Sequence, residues 1–266
     1  MRVWLAILGI YTMMAIGSAL FGTGPVSQQI GLENIAPGTT AFLGTDRLGR
    51  SVTELIIHGA RLALLVGILG GGLAVALGTI LGMAAGWWRG PVDAAALWCS
   101  GAVAAVPGIL LVLTIGFMMG GGLVALLLGI GLASWVGVFR LVRAEVLKMR
   151  RKNHVLAAKA LGASSIHILQ NHLFPRIAPL ILVQFTLHFV FAVKAEVVLS
   201  FLGVGFSDAV SWGGMIRQCL AFNDLAHGHW WGLTSATLAM VGLVLAVQRL
   251  ADNFNHRLEM SHRTLS

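Results

Sequence analysis

The sequence predicts an all-α polytopic membrane protein with about six transmembrane helices. Two observations carry this. Of 266 residues, 57% are hydrophobic and only 11% charged, with mean hydropathy +0.86, whereas a soluble domain carries roughly 25% charged residues. The apolar residues also fall into runs near the roughly 20 needed to cross a bilayer, leaving no room for a sizeable extramembrane domain. A net charge of +8 is then read as loops facing anionic lipid rather than as a nucleic-acid surface. Cys99 and Cys219 are too few and too far apart for a disulfide framework.

Taken in order, Val3–Phe21 is apolar behind Arg2. It reads as a first span or as a signal peptide with Gly17-Ser18-Ala19 at the cleavage site; the long run and the spans that follow favour a first span. Residues 22–53 are rich in Gly, Pro, Thr and Asn and contain FLGTDRLGRS, where Thr45 or Asp46 can cap a short helix and Gly44 and Gly49 permit tight bends. Leu62–Trp88 is the second span. Its Gly78, Gly82 and Gly86 form a small-residue stripe suited to close helix approach, and Trp87 and Trp88 sit where interfacial aromatics belong. Ala94–Met119 is the third, kinked at Pro107-Gly108. Leu123–Phe139 is the fourth, with Trp135 at its inner edge.

Arg140–Pro179 interrupts this apolar body. Arg140, Arg143, Lys148, Arg150, Arg151, Lys152, Lys159 and Arg176 supply eight of the eighteen Lys and Arg, and such clusters mark the cytoplasmic side. Within the loop, His154–Leu161 is a helix of good formers, Gly162 a left-handed residue ending it, and Ser164 or Ser165 the cap of a second helix near Ile166. Pro175 stops that helix and Pro179 falls in the first turn of the next span.

The fifth span, Leu180–Leu202, holds Lys194 and Glu196. Ionisable groups at membrane depth cost about 2.5–3.5 kcal/mol or more each, and two residues apart they do not share a helix face. Each therefore has its own partner; Lys194 either snorkels to the outer interface or lines a path. Phe206–His229 is a second outer segment. His227 and His229 could hold a metal, but with no Cys or further His nearby in sequence they read as interfacial polar residues, and no metal site is assigned. Trp231–Val247 is the sixth span and 248–266 a cytoplasmic tail. Both ends inside satisfies the positive-inside rule.

Four stretches carry a family resemblance. AAKALGASSIHILQNHLFP, with Ala157, Ala158, Gly162 and Pro175, resembles the "EAA" signature of bacterial ABC-importer permeases. FLGTDRLGRS with HGARLALLVG resembles the N-terminal signature of the dipeptide/oligopeptide/nickel class, through Gly44, Thr45, Asp46, Leu48, Gly49, Arg50, Gly59, Ala60 and Arg61. EVVLSFLGVG matches at Glu196, Leu199, Ser200, Phe201, Leu202, Gly203 and Gly205. SWGGMI matches at Trp212, Gly213 and Met215. The ending LADNFNHRLE adds Asp252 and Arg257. Three departures stand out: His154 near a usually acidic position, Ser51 for another acid, and the unexpected Lys194.

The resemblance implies a type I ABC importer permease fold. Residues 1–61 would form a first helix and periplasmic segment, 62–266 the core, and 140–179 a loop whose coupling helix docks on a cytoplasmic ATPase. It implies a second homologous permease subunit, two ATPase subunits, a periplasmic solute-binding protein, and a gate around Glu196, Gly203, Trp212 and Gly213. It also implies a bacterial inner-membrane location and a cargo of short peptides, with nickel or a metal chelate second. The chain itself has no GxxxxGK[ST], HExxH or GxSxG, so ATP and Mg would sit on the partners and this chain would bind no cofactor. The rival class, a secondary transporter or channel coupling through Lys194 and Glu196, would call for inverted repeats, which the sequence does not display.

Overall fold

The computed structural model describes residues 2–21, 27–39, 41–203 and 210–263, with side chains through Asn253 apart from Phe21. Ten α-helices organise the described residues: α1 Arg2–Phe21, α2 Val52–Trp88, α3 Gly90–Ala104, α4 Gly108–Met118, α5 Gly122–Met149, α6 Asn153–Ala160, α7 Ser165–Ile168, α8 Phe174–Leu202, α9 Trp212–Ala221 and α10 Trp231–Arg263. Five segments are long and apolar enough to cross a membrane, six if α3 and α4 make one broken span. The all-α, multi-pass expectation holds.

α2 is the hub. At 1.5 Å per residue its 37 residues run about 55 Å, well beyond the roughly 30 Å hydrocarbon core. It packs most extensively on α5, then α8 and α1. The glycine stripe explains the α5 contact. A Cβ on Gly82 would lie 2.8 Å from the Phe139 carbonyl oxygen and 2.9 Å from Val142 Cβ; one on Gly86 would lie 2.9 Å from Val146 Cβ. Without side chains there, the two helices interlock through Val138, Val142 and Val146, all fully buried. Gly67 and Gly71 do the same against Phe189 of α8. α1 joins through Tyr11, whose hydroxyl donates to the Ala239 carbonyl at 2.7 Å, and through a 2.8 Å contact of Ser18 Oγ with His58 Nδ1.

Several boundaries differ from expectation. The second span starts at Val52, not Leu62, so α2 runs unbroken through residues 61 and 62. The third span is not kinked but broken: α3 and α4 meet at 89°. Proline donates no hydrogen bond, so the helical ladder cannot run through it; the chain is extended at Pro107 (φ −54°, ψ 126°), whose carbonyl then accepts from Leu110 and Leu111. Ser100 is the sole buried residue of α3, so little side-chain packing holds the two pieces in line.

The fourth span does not end at Phe139. α5 continues through Arg140 and Arg143 to Met149, because Val142, Val146 and Met149 recur at helical spacing and bury. Trp135 is not interfacial either; it is buried edge-on to Phe139, with ring centroids 5.5 Å apart. Pro175 does not stop the second loop helix. A π-turn over Leu169–Leu173 joins α7 to α8, with the Phe174 N–H reaching back to the Leu169 carbonyl. The wider turn displaces the carbonyl that a proline ring would otherwise strike, and Pro175 sits in the first turn of α8 while Pro179 lies inside it. The tail after Val247 continues α10 as helix to Arg263. Gly205 lies outside the described residues, as does the side chain of Arg257.

Candidate functional site: two ends of the bundle

The chain's chemistry gathers at the two ends of the bundle. At the basic end, α5 hands over to α6, a two-turn helix. Gly162 has φ +82°, donates to the Lys159 carbonyl at 3.1 Å, and is followed by Ala163, which donates to the Ala158 carbonyl at 3.1 Å. These two bonds make a Schellman cap. Its customary apolar contact is made by Ala158 and Ala163, which pack on the same buried cluster. Ala158 and Gly162 are thus two halves of one corner. Ser164 Oγ then accepts from the His167 amide at 3.3 Å and starts α7.

Buried Val155, Ile168, Leu169, Leu173 and Ile177 fasten this corner to Val142, Val146 and Met149 of α5. The other face is bare. Leu161 is 88% exposed, Ile166 61% and Leu156 51%, and Ala157 is exposed beside them. His154 is held below its ordinary pKa by burial, then by the positive charges of Arg176, His172 and Lys152. Among the described residues its Nε2 has no hydrogen-bond partner. Arg143 grips Asp93 of α3 with two bonds of 2.5 and 2.7 Å.

At the opposite end, the expected helix cap at Thr45 or Asp46 is absent; both residues close a tight loop instead. Thr45 bridges to Ser51, and its Oγ1 accepts from the Ile35 amide at 2.8 Å and donates to the Leu32 carbonyl at 2.5 Å. Asp46 Oδ1 accepts from the amides of Leu48 and Arg50, each at 2.9 Å, while Oδ2 takes the Arg50 guanidinium at 2.7 Å. Gly49 has φ +70° and Gly44 φ +81°; a side chain on Gly44 would also meet the Ile35 carbonyl at 2.6 Å. Ser51, not Thr45 or Asp46, precedes α2, without a side-chain cap bond.

This loop is clamped to elements far along the chain. Trp231 of α10 donates to the Thr45 carbonyl at 2.8 Å, and Arg50 donates to Gln218 of α9 at 2.9 Å. Arg47 reaches Asp224 at 2.5 Å and the Phe222 carbonyl at 2.7 Å, and its guanidinium lies 5.0 Å from the centre of the Phe222 ring. Trp212 is buried against Gly59 and donates to the Ile56 carbonyl at 3.2 Å. Gly213 lies against Val197 and Ser200 of α8, and Gly203 (φ +84°) against the Arg217 guanidinium. Glu196 is buried and accepts from Ser200 Oγ at 2.7 Å.

The structure therefore brings Gly44, Thr45, Asp46, Gly49, Arg50, Trp212, Gly213, Glu196 and Gly203 to one end of the bundle, and Ala157, Ala158, Gly162 and Pro175 to the other. Lys194 stays apart, exposed, on a strip of α8 with Leu187, Val198 and Phe201. His227 and His229 stack on each other at 6.2 Å, and His229 lies 5.2 Å from Trp231. Sequence reading missed Arg47, Gln218, Phe222 and Asp224. The available signal was Asp224 itself, a lone acid in a short, aromatic-rich segment, whose partner Arg47 lies 177 residues earlier. Cys219 is buried in the same cluster, and burial, reinforced by Asp224, pushes its thiol up to about 12.

Comparison with known proteins agrees with this architecture. Residues 78–260 match the family described as binding-protein-dependent transport system inner membrane component. The dipeptide transport system permease protein DppC of Bacillus subtilis (strain 168) is 32% identical over 254 residues, 95% of this chain and 79% of the relative. The di/tripeptide transport system permease protein DppC of Pseudomonas aeruginosa (strain UCBPP-PA14) is 29% identical over 219 residues, 82% of this chain and 71% of the relative. Among solved structures, the inward-facing MetNI methionine ABC transporter matches with a TM-score of 0.61 at 18% identity, covering 75% of this chain and 94% of its own, which establishes the shared fold. The chain belongs to the family of binding-protein-dependent transport system inner membrane components, and is a multi-pass permease subunit of an importer that works with ATPase and substrate-binding partners.

Proposed function

We propose that this chain forms half of the translocation path of an ATP-driven importer of short peptides in a bacterial inner membrane, and that α6 is its coupling helix. The observation that carries the proposal is the divided character of the α6 corner. Val155 and Ile168 are buried at 1% exposure against α5, while Leu161, Ile166 and Leu156 stand free on the outer side. A solvated loop has no need of three large apolar side chains around a rigid glycine cap; a protein groove that closes over them does. The anchored side would pass displacement of that groove to α5 and, through the α2 glycine stripe, to the rest of the bundle.

On this reading the basic end is cytoplasmic, in keeping with its cluster of Lys and Arg. Two ATPase subunits, holding ATP and Mg, lie beneath this chain and a second homologous permease; this chain binds no cofactor. The bare faces of α3, α4 and α8 lie toward that second permease. The opposite end, with Arg50, Trp212, Gly213 and Gly203, meets a periplasmic solute-binding protein and forms the outer gate over Glu196. Peptide cargo is supported by the names of the relatives, which include dipeptide, di/tripeptide and oligopeptide permeases. The complete complex in vesicles, given its binding protein outside and ATP with Mg inside, should accumulate labelled dipeptide. Uptake that proceeds without ATP, or accumulation of nickel with peptide excluded, would overturn the proposal.

A further inference from the structure

Beside the coupling corner lies a cavity of about 510 Å³ lined by Trp87, Trp88, Arg89, Arg150, Arg151 and Lys159 among others, with Val155 and Leu156 of α6 at one wall. Its size is within the roughly 300–1,000 Å³ of small-ligand sites. Four of the lining residues are cationic and none is acidic. Among the described residues Arg89, Arg150, Arg151 and Lys159 make no ion pair; Asp93 feels the charge of Arg89 but is held by Arg143, and Glu145 pairs with Lys148. Arg150 Nη1 points to the carbonyls of Gly86 and Trp87 at 3.5 and 3.2 Å, and its guanidinium lies 5.9 Å from the centre of the Trp87 ring. A guanidinium carries five N–H donors, so most remain for another acceptor. Arg89 turns the corner between α2 and α3 with φ +55°, ahead of Gly90 at +61°.

Four like charges around one concavity call for an anion, and guanidinium forks suit phosphate oxygens. The position identifies the source. The cavity lies where the long apolar helix α2 ends in two tryptophans, a pairing that marks the membrane–water interface, and basic pockets between spans at that level receive anionic headgroups. We propose that this cavity is a binding site for the phosphate headgroup of an anionic phospholipid, wedged between the ends of α2 and α5 and the coupling helix α6. A lipid seated there would tie α6 to the bilayer and make ATPase coupling depend on lipid charge. The inference rests on the inner-face placement proposed above for this end, but not on the cargo.

The test uses the whole complex, ATPases included, in detergent and in vesicles of phosphatidylcholine with or without phosphatidylglycerol. Native mass spectrometry should show phosphatidylglycerol retained by the wild type. Titration should show affinity falling about 25-fold in Arg151→Gln/Lys159→Gln, at about fivefold per cation near an anionic surface. The charge-preserving Arg151→Lys/Lys159→Arg variant should restore binding, which separates loss of the site from loss of the fold. Equal retention by the wild type and the double Gln variant would overturn the proposal. So would failure of the assembled complex to retain the lipid, which would give the cavity to an ATPase side chain. Inorganic phosphate binding as tightly as phosphatidylglycerol would assign it to a free anion instead. Lipid retention is read without transport, so its failure is distinct from failure of peptide uptake.

Discussion

Leu161 offers the sharpest separation between docking and folding. It is 88% exposed, so shortening it removes almost nothing from the isolated chain. Fully burying a leucine contributes about 1.5–3 kcal/mol. If the ATPase groove covers Leu161, Leu161→Ala should weaken ATPase binding by about 2 kcal/mol, roughly 30-fold in Kd. Thermal unfolding of the permease alone should not move. Val155 predicts the reverse pattern. It is 1% exposed, and Val155→Ala leaves a void beneath α6, costing about 1–2 kcal/mol of local stability. The assay is a titration of labelled ATPase onto the detergent-solubilised permease pair, with melting followed in parallel. A Kd for Leu161→Ala within twofold of wild type would refute the docking argument, as would a lowered melting temperature that accounts for all the lost binding.

Two further outcomes follow from packing and burial. Gly82→Ala should destabilise the complex by about 1–3 kcal/mol, since its methyl meets backbone at 2.8 Å. Gly72→Ala in the same helix finds its nearest neighbour at 3.8 Å and should be neutral or stabilising by up to about 1 kcal/mol; denaturant titration of the pair distinguishes the two. With its thiol pushed up to about 12, Cys219 should stay almost wholly protonated at pH 8. It should resist maleimide until the protein unfolds, and rapid labelling of the native complex would contradict its buried setting beside Asp224.

Much of the fold was legible because the relevant signals were local. The Gly162 corner could be read from helix formers followed by a single glycine, and the structure adds the reason Ala158 stands four residues earlier: it supplies one carbonyl and one apolar contact of the same cap. The glycine stripe of α2 announced a close approach, though not that α5 would be its partner. What escaped depended on distant chain. Thr45 and Asp46 look like helix caps from their neighbours alone, yet the loop is closed by Ile35 and Leu32 and held by Trp231, 186 residues from Thr45. Pro107 was visible, but whether a proline kinks or breaks a helix is decided by what packs around it, and α3 has little. At Arg140–Met149 the polar composition concealed a valine spacing that was there to be counted. Trp135 took an interfacial reading from its position, whereas Phe139 and Ala85 draw it into the core.

The proposed mechanism requires the α6 corner to meet the ATPase at the inner face. The most direct measurement places a single cysteine at Ala157 in a chain carrying Cys99→Ser and Cys219→Ser, and cross-links it in membranes with ATP present. A covalent adduct with the ATPase is expected, together with protection of that cysteine from a membrane-impermeant thiol reagent added outside. Labelling from the outside, or an adduct with the binding protein in place of the ATPase, would contradict it.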